Sequence, residues 1–180
     1  MQQTDLSRPR QVRMNPVAFE GFIFSPLKAT ITVVSLRTLY LDTSVVGGYF
    51  DKEDQKETRQ LWDLWKSGRY RFVSSVVVEE EIEPAPEQVR RLYAQTFPVE
   101  NRLALSMSAI ELAGLYVQQG VVTPKYLSDA RHVAVCVVAG ITHLVSWNFR
   151  HLVNVEREAG FNAINLLQGY ASIRIVRRWS

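Results

Sequence analysis

Thr38-Leu39-Tyr40-Leu41-Asp42-Thr43-Ser44 sends three large apolar residues straight into an acid, with two hydroxyl residues behind it. An apolar run of this length ending in Asp-Thr-Ser predicts a short buried strand whose C-terminal end presents a carboxylate. In open α/β sheets that end is where ligands and chemistry gather. Asp is also among the best N-cap residues, so a purely structural cap on the next helix is the competing reading.

Outward from this strand, the pattern alternates. Thr43–Phe50 reads as a short helix or turn, with Gly47 and Gly48 allowing close backbone approach. Glu53–Lys66 carries Leu61, Trp62, Leu64 and Trp65 at helical spacing and stops at Ser67-Gly68. The tryptophans could stack nucleic-acid bases, but core packing is the stronger reading. Tyr70–Ser75 predicts a second strand. The acidic run Val76-Val77-Val78-Glu79-Glu80-Glu81-Ile82-Glu83-Pro84 follows as a helix whose glutamates do not share one face. Glu81 has Val78 and Val77 at i−3 and i−4 and Ala85 at i+4, so it alone falls on the inward side. A carboxylate there is costly unless something positive meets it.

Glu87–Gln95 and Arg102–Gln119 are predicted helices. Thr123-Pro124 is a strong helix start and Gly140 a strong stop, so the β-branched run between them is read as helix too. Asp129 is its only acid and lies at the border of the buried stripe, with Lys125 at i−4 as an alternative ion-pair partner. Ile141–Ser146 predicts a third strand, ending in Trp147-Asn148-Phe149-Arg150-His151. A helix to Gly160, a strand over Ala163–Leu167 and a C-terminal edge strand or tail complete the chain.

Composition sets the bounds. The chain has 180 residues, 47% hydrophobic and 22% charged, which suits one ordinary globular domain with a real core. Its net charge of +3 comes from the start of the chain, where five basic residues face two acidic ones within 1–38. The rest balances 16 basic against 16 acidic residues, so the high pI is no argument for nucleic-acid binding by the domain. A single cysteine, Cys136, sits in an apolar run and reads as a buried small hydrophobe in a reducing, cytoplasmic setting. Residues 1–37 lack sustained periodicity and read as a poorly ordered extension. Glu20 and Lys28 interrupt their apolar part, so no membrane span is expected, and no signal-peptide core is apparent. The domain is expected over 38–170 and the tail over 171–180.

Alternating strands and helices indicate an α/β domain with a mainly parallel sheet. Asp42, Glu81 and Asp129 stand on separate elements. Three carboxylates converging in one cleft repel each other unless protonated or metallated. Sulfur-free oxygen donors suit Mg²⁺ or Mn²⁺, and such an ion can activate water for attack on a phosphodiester.

Four blocks, Leu39-Tyr40-Leu41-Asp42-Thr43-Ser44, Ser75 with Glu81, Asp129-Ala130-Arg131-His132 and Ser146-Trp147-Asn148-Phe149, together resemble the PIN domain, and within it the VapC-like toxin nucleases of toxin–antitoxin pairs. The likeness runs from Leu39 to about Gly169. It implies a three-layer α/β/α fold and an Mg²⁺- or Mn²⁺-dependent endoribonuclease acting on RNA, with a small antitoxin protein as partner. Asp42, Glu81 and Asp129 carry over as the metal ligands. Asn148 stands where many of these nucleases have a fourth acid: its amide can bind a metal or its water, but brings no charge. Thr43, Ser146, Arg131 and Arg150 are candidate substrate contacts. Homodimers are common in the resembled family, although no dimer surface is legible here. Two rival readings stay open. One is a PIN-like binding module with weakened catalysis, suggested by Asn148. The other is a small phosphatase or receiver-like protein built on Asp42.

Overall fold

Strand β1 (Arg37–Leu41) buries Leu39, Tyr40 and Leu41 completely, as a strand in the middle of a parallel sheet must. A computed structural model describes residues 37–148 and 154–177. The extension expected over 1–37 lies outside these apart from Arg37, as do Arg150 and His151. After β1 come α1 (Thr43–Gly48), α2 (Gln55–Lys66), β2 (Tyr70–Ser75), α3 (Val76–Ile82) and α4 (Glu87–Thr96). Then follow β3 (Arg102–Leu103), α5 (Met107–Gln118), α6 (Leu127–Val138), β4 (His143–Val145), α7 (Val155–Leu167) and β5 (Arg174–Val176).

The strands line up in the order β3-β2-β1-β4-β5, and every pairing is parallel. The chain thus steps outward from β1 to β3, then returns to the other side of β1 and steps outward again. Right-handed crossovers put α1 to α4 over one face and α5 to α7 over the other. Packing follows this division for α1 with α2 and α4 and for α5 with α6 and α7, while α3, which follows β2 directly, also meets α6. This is a three-layer α/β/α fold. Its topological switch point is the gap between β1 and β4, the position where open α/β sheets bind ligands.

The tryptophans of α2 belong to the core. Trp62 is 2% exposed, donates from Nε1 to Thr96 Oγ1 and packs edge-on against Phe72 and Tyr49. Trp65 stacks on Phe72. Cys136 is buried as expected, and burial pushes its thiol pKa up.

Two predicted elements need correction. Arg102 and Leu103 form a strand beside Ser74 and Ser75 rather than the start of a helix. Ser106 caps α5 by accepting a hydrogen bond from Ala109 N, so helix begins only at Met107. Further on, α7 runs through Gly160 to Leu167, absorbing the strand expected over Ala163–Leu167. Phe161, Ile164 and Asn165 are buried at helical spacing. Gly160 is kept small by a neighbour and breaks nothing: a Cβ there would lie 3.0 Å from Val121 Cγ1. The edge strand proposed for the tail exists as β5, paired to β4.

Candidate active site

The site assembles at the switch point. Asp42 follows β1 directly, and its backbone N–H reaches across to Val145 O at the end of β4, 3.3 Å away. Its side chain does cap α1: Oδ1 accepts from Val45 N at 3.2 Å and from Ser44 Oγ at 2.7 Å. Capping and a ligand role are therefore compatible, because one oxygen serves the cap. Asp42 is 4% exposed. Burial raises its pKa, against the opposing influence of His132, Ser146, Ser44 and the Val45 N–H. Apart from His132, the groups that steady its charge are neutral, so this carboxylate is short of positive partners.

Glu81 turns inward from α3, as its helical position predicts. Thr43 Oγ1 donates to its Oε2 and Ser128 Oγ to its Oε1. His132 Nε2 also contacts Oε2 at 3.1 Å. Burial alone would raise this carboxyl, yet the hydrogen bond and charge of His132, with Ser128 and Thr43, hold it down to about 2. His132 shows the converse. Burial disfavours its charge, but Glu81, then Asp42 and Asp129, raise its pKa.

Asp129 stands in the first turn of α6 and accepts from Asn148 Nδ2 at 3.3 Å. Asn148 is itself set by Ser146, whose Oγ accepts its backbone N–H at 2.9 Å. Ser146 is fully buried just past β4. Trp147 between them donates its backbone N–H to Ser44 Oγ at 2.8 Å, binding this segment to the Asp42 loop. Of the predicted residues, Asp42, Thr43, Glu81, Asp129, Ser146 and Asn148 thus enter one connected set. Arg131 is half-buried and joins none of these bonds, and Arg150 lies outside the described residues. Lys125, the alternative partner for Asp129, sits over the Tyr126 ring. His132 and Ser128 were missed. The sequence signal for His132 was a lone histidine three residues after Asp129, directly ahead of the apolar run Val133–Val138.

Among the described residues, no three His, Cys, Asp or Glu side chains already surround one point as a metal cage. The donor chemistry nonetheless fits a hard divalent cation. A carboxylate oxygen has two lone pairs. In Glu81, Oε2 is filled by Thr43 and His132, while Oε1 takes only Ser128 and has room for another partner. Buried oxygen donors with surplus negative charge are what Mg²⁺ or Mn²⁺ selects.

No protein-family model and no curated protein matches the chain. Solved structures do. A chain of a toxin-antitoxin complex from Klebsiella pneumoniae is 18% identical, with a TM-score of 0.49 over 66% of this chain and 93% of that one. A chain of VapBC2 from Rickettsia felis, solved bound to a DNA fragment from the promoter, is 12% identical, with a TM-score of 0.50 over 79% of this chain and 99% of that one. At such identity the likeness is one of architecture: the chain has a VapC-like PIN fold.

Proposed function

We propose that this protein is a cytoplasmic endoribonuclease dependent on Mg²⁺ or Mn²⁺, acting as the toxin of a toxin–antitoxin pair. The observation that supports this reading is that Glu81, Asp42 and Asp129 all stand close enough to His132 to raise its pKa, beside the switch point of the sheet. The fold it shares with the VapBC2 chain supports it. Asp42, Glu81 through Oε1, and Asp129 would hold the ion. Bound there, such an ion would supply Lewis-acid polarisation of a phosphate oxygen and a lowered pKa for water in phosphodiester hydrolysis. The chain's own contribution is to orient: Ser44 and Val45 N–H hold Asp42, Thr43 and Ser128 hold Glu81, and Asn148 holds Asp129.

The partner surface has a candidate too. A groove beside the site is lined by Thr43, Gly47, Phe50, Pro86 and Trp147, with Asp51 and Asp54 among its walls. Apolar lining with acidic walls suits a protein segment carrying basic side chains, as an antitoxin tail would, better than a polyanion.

Purified protein is expected to cut single-stranded RNA in Mn²⁺ and to stop in EDTA, read by fluorogenic substrates and gels. A protein that neither cuts RNA nor gains thermal stability from millimolar Mn²⁺ would instead be the binding module. That second reading rests on Asn148, a neutral donor to Asp129 where another acid would add charge.

Asn148→Asp separates the contributions. It replaces a donor to Asp129 by a second carboxylate, so the metal-free protein should lose thermal stability through like-charge repulsion. Mn²⁺ should then bind about tenfold more tightly, since ligand charge count tunes affinity at oxygen sites. Calorimetric titration with Mn²⁺ reads this directly, and unchanged affinity would exclude Asn148 from the ion's surroundings.

A further inference from the structure

Behind Glu81 runs a chain of polar groups through the core that the proposed chemistry does not use. His132 is 3% exposed on α6 and is flanked by apolar residues, Val133 through Val138, on the C-terminal side. Its Nδ1 lies 2.7 Å from the Tyr40 hydroxyl, and Tyr40 is fully buried in the central strand β1. That hydroxyl in turn shares a 2.6 Å hydrogen bond with Ser75 Oγ, also fully buried, at the end of β2. From its other nitrogen, His132 reaches Glu81 Oε2 at 3.1 Å. The sequence Ser75–Tyr40–His132–Glu81 therefore draws on β1, β2, α3 and α6.

Burying a hydroxyl, a phenol and an imidazole is costly, and each needs its partner to offset that cost. If these positions served packing alone, apolar side chains of similar volume would fill them with no such demand. The polar chain ends on a single atom, Oε2 of Glu81. With Thr43 on the same oxygen, that atom is saturated and the carboxylate's rotation is fixed. Oε1 is left with only Ser128. Nε2 facing a carboxylate must carry a proton, so His132 is the donor in this contact.

We propose that His132 is a positioning residue that locks Glu81 by Oε2 and presents Oε1 to the divalent ion, with Tyr40 and Ser75 bracing the imidazole from behind. This rests on the metal-dependent reading above. Partners behind a ligand, though they never touch the metal, typically change affinity by about 10–100-fold when removed.

The test is Mn²⁺ binding, read by the electron paramagnetic resonance signal of free aquo-Mn²⁺ in titrations of the whole chain. His132→Leu keeps bulk but removes both ring nitrogens, and should weaken Mn²⁺ binding at least about tenfold. His132→Gln can donate to Oε2 and accept from Tyr40, and should restore affinity to within about threefold of wild type. A purely structural histidine would not be rescued in this way. Unchanged binding by His132→Leu, or equal weakening by Leu and Gln, overturns the proposal. Should His132→Leu fail to fold, Tyr40→Phe takes its place: it removes only the bracing hydroxyl. Weakened Mn²⁺ binding then supports the role and wild-type binding overturns it. A wild-type protein that takes up no Mn²⁺ overturns the metal-dependent reading itself, and this inference with it, which marks that failure apart from failure of His132 alone.

Discussion

Asp42→Asn is expected to reduce Mn²⁺-dependent RNA cleavage by at least about a hundredfold, since loss of a direct ligand should cost no less than loss of a partner behind one. The same substitution should raise the melting temperature of the metal-free protein. The second half follows from burial. Asp42 is 4% exposed and its pKa is raised above the ordinary 3.8, chiefly by desolvation. Between its unfolded and folded pKa, the native protein holds more protons at this group than the unfolded chain does. Stability from this group therefore falls as pH rises through that window, and above it the ionised carboxylate is a fixed cost. Asn removes the charge and keeps an oxygen for the Val45 N–H and Ser44 hydroxyl, so the cap on α1 survives. Glu81 has the opposite sign. Held at about 2, against 4.5 ordinarily, it contributes stability above its unfolded pKa that is lost as pH falls through the folded value. Glu81→Gln should thus gain nothing in the metal-free state where Asp42→Asn does. Thermal melts with EDTA across pH, beside cleavage assays with Mn²⁺, decide the matter. A less stable Asp42→Asn, or one that still cleaves, would refute the assignment.

The contrast between these two acids marks how far residues alone could be read. Asp42 and Asp129 could be picked out as lone acids beside apolar runs, and Glu81 could be picked from an acidic run by its helical face, because strand ends and helical spacing are local properties. The inward turn of Glu81 came from its i−3 and i−4 valines and holds in three dimensions. His132, Ser128 and the Tyr40–Ser75 pair were not legible, because their role exists only where α6 crosses β1, β2 and α3. Tyr40 looked like one more apolar residue of the first strand, and its hydroxyl only matters once Ser75 and His132 flank it. The two misplaced elements have a similar origin. Ile164 and Leu167 satisfy strand and helix patterns alike, and the burial of Phe161, Ile164 and Asn165 at helical spacing settles the segment as helix. Arg102–Leu103 became a strand because Ser74 and Ser75 offered an edge to pair with, overriding its helical pattern.

Gly48 gives the sharpest test of how packing feeds the site. Gly47 and Gly48 are adjacent in α1, and neither has a positive φ. By helix propensity alone, alanine should stabilise both, by up to about 1 kcal/mol each. At Gly47 nothing lies within 4 Å of an added Cβ, so Gly47→Ala should show that gain. At Gly48 the new Cβ would lie 2.6 Å from Trp147 Cδ1, 2.7 Å from its Nε1 and 3.0 Å from Thr58 Oγ1. The indole cannot simply swing away. It is 7% exposed, and Nε1 donates to Thr58 Oγ1 at 2.9 Å. Overpacking of this kind costs about 1–3 kcal/mol, which exceeds the propensity gain and reverses the sign. For a protein of this size that is a loss of roughly 2–4 °C in melting temperature per kcal/mol. Activity should fall as well, because Trp147 lies between Ser146 and Asn148 and its backbone N–H is bonded to Ser44, which holds Asp42. Displacing the indole shifts both halves of the site at once. Paired thermal melts and cleavage assays of Gly47→Ala and Gly48→Ala check this. If both variants shift stability in the same direction, the close contact of Trp147 with Gly48 does not constrain the segment that carries Ser146 and Asn148.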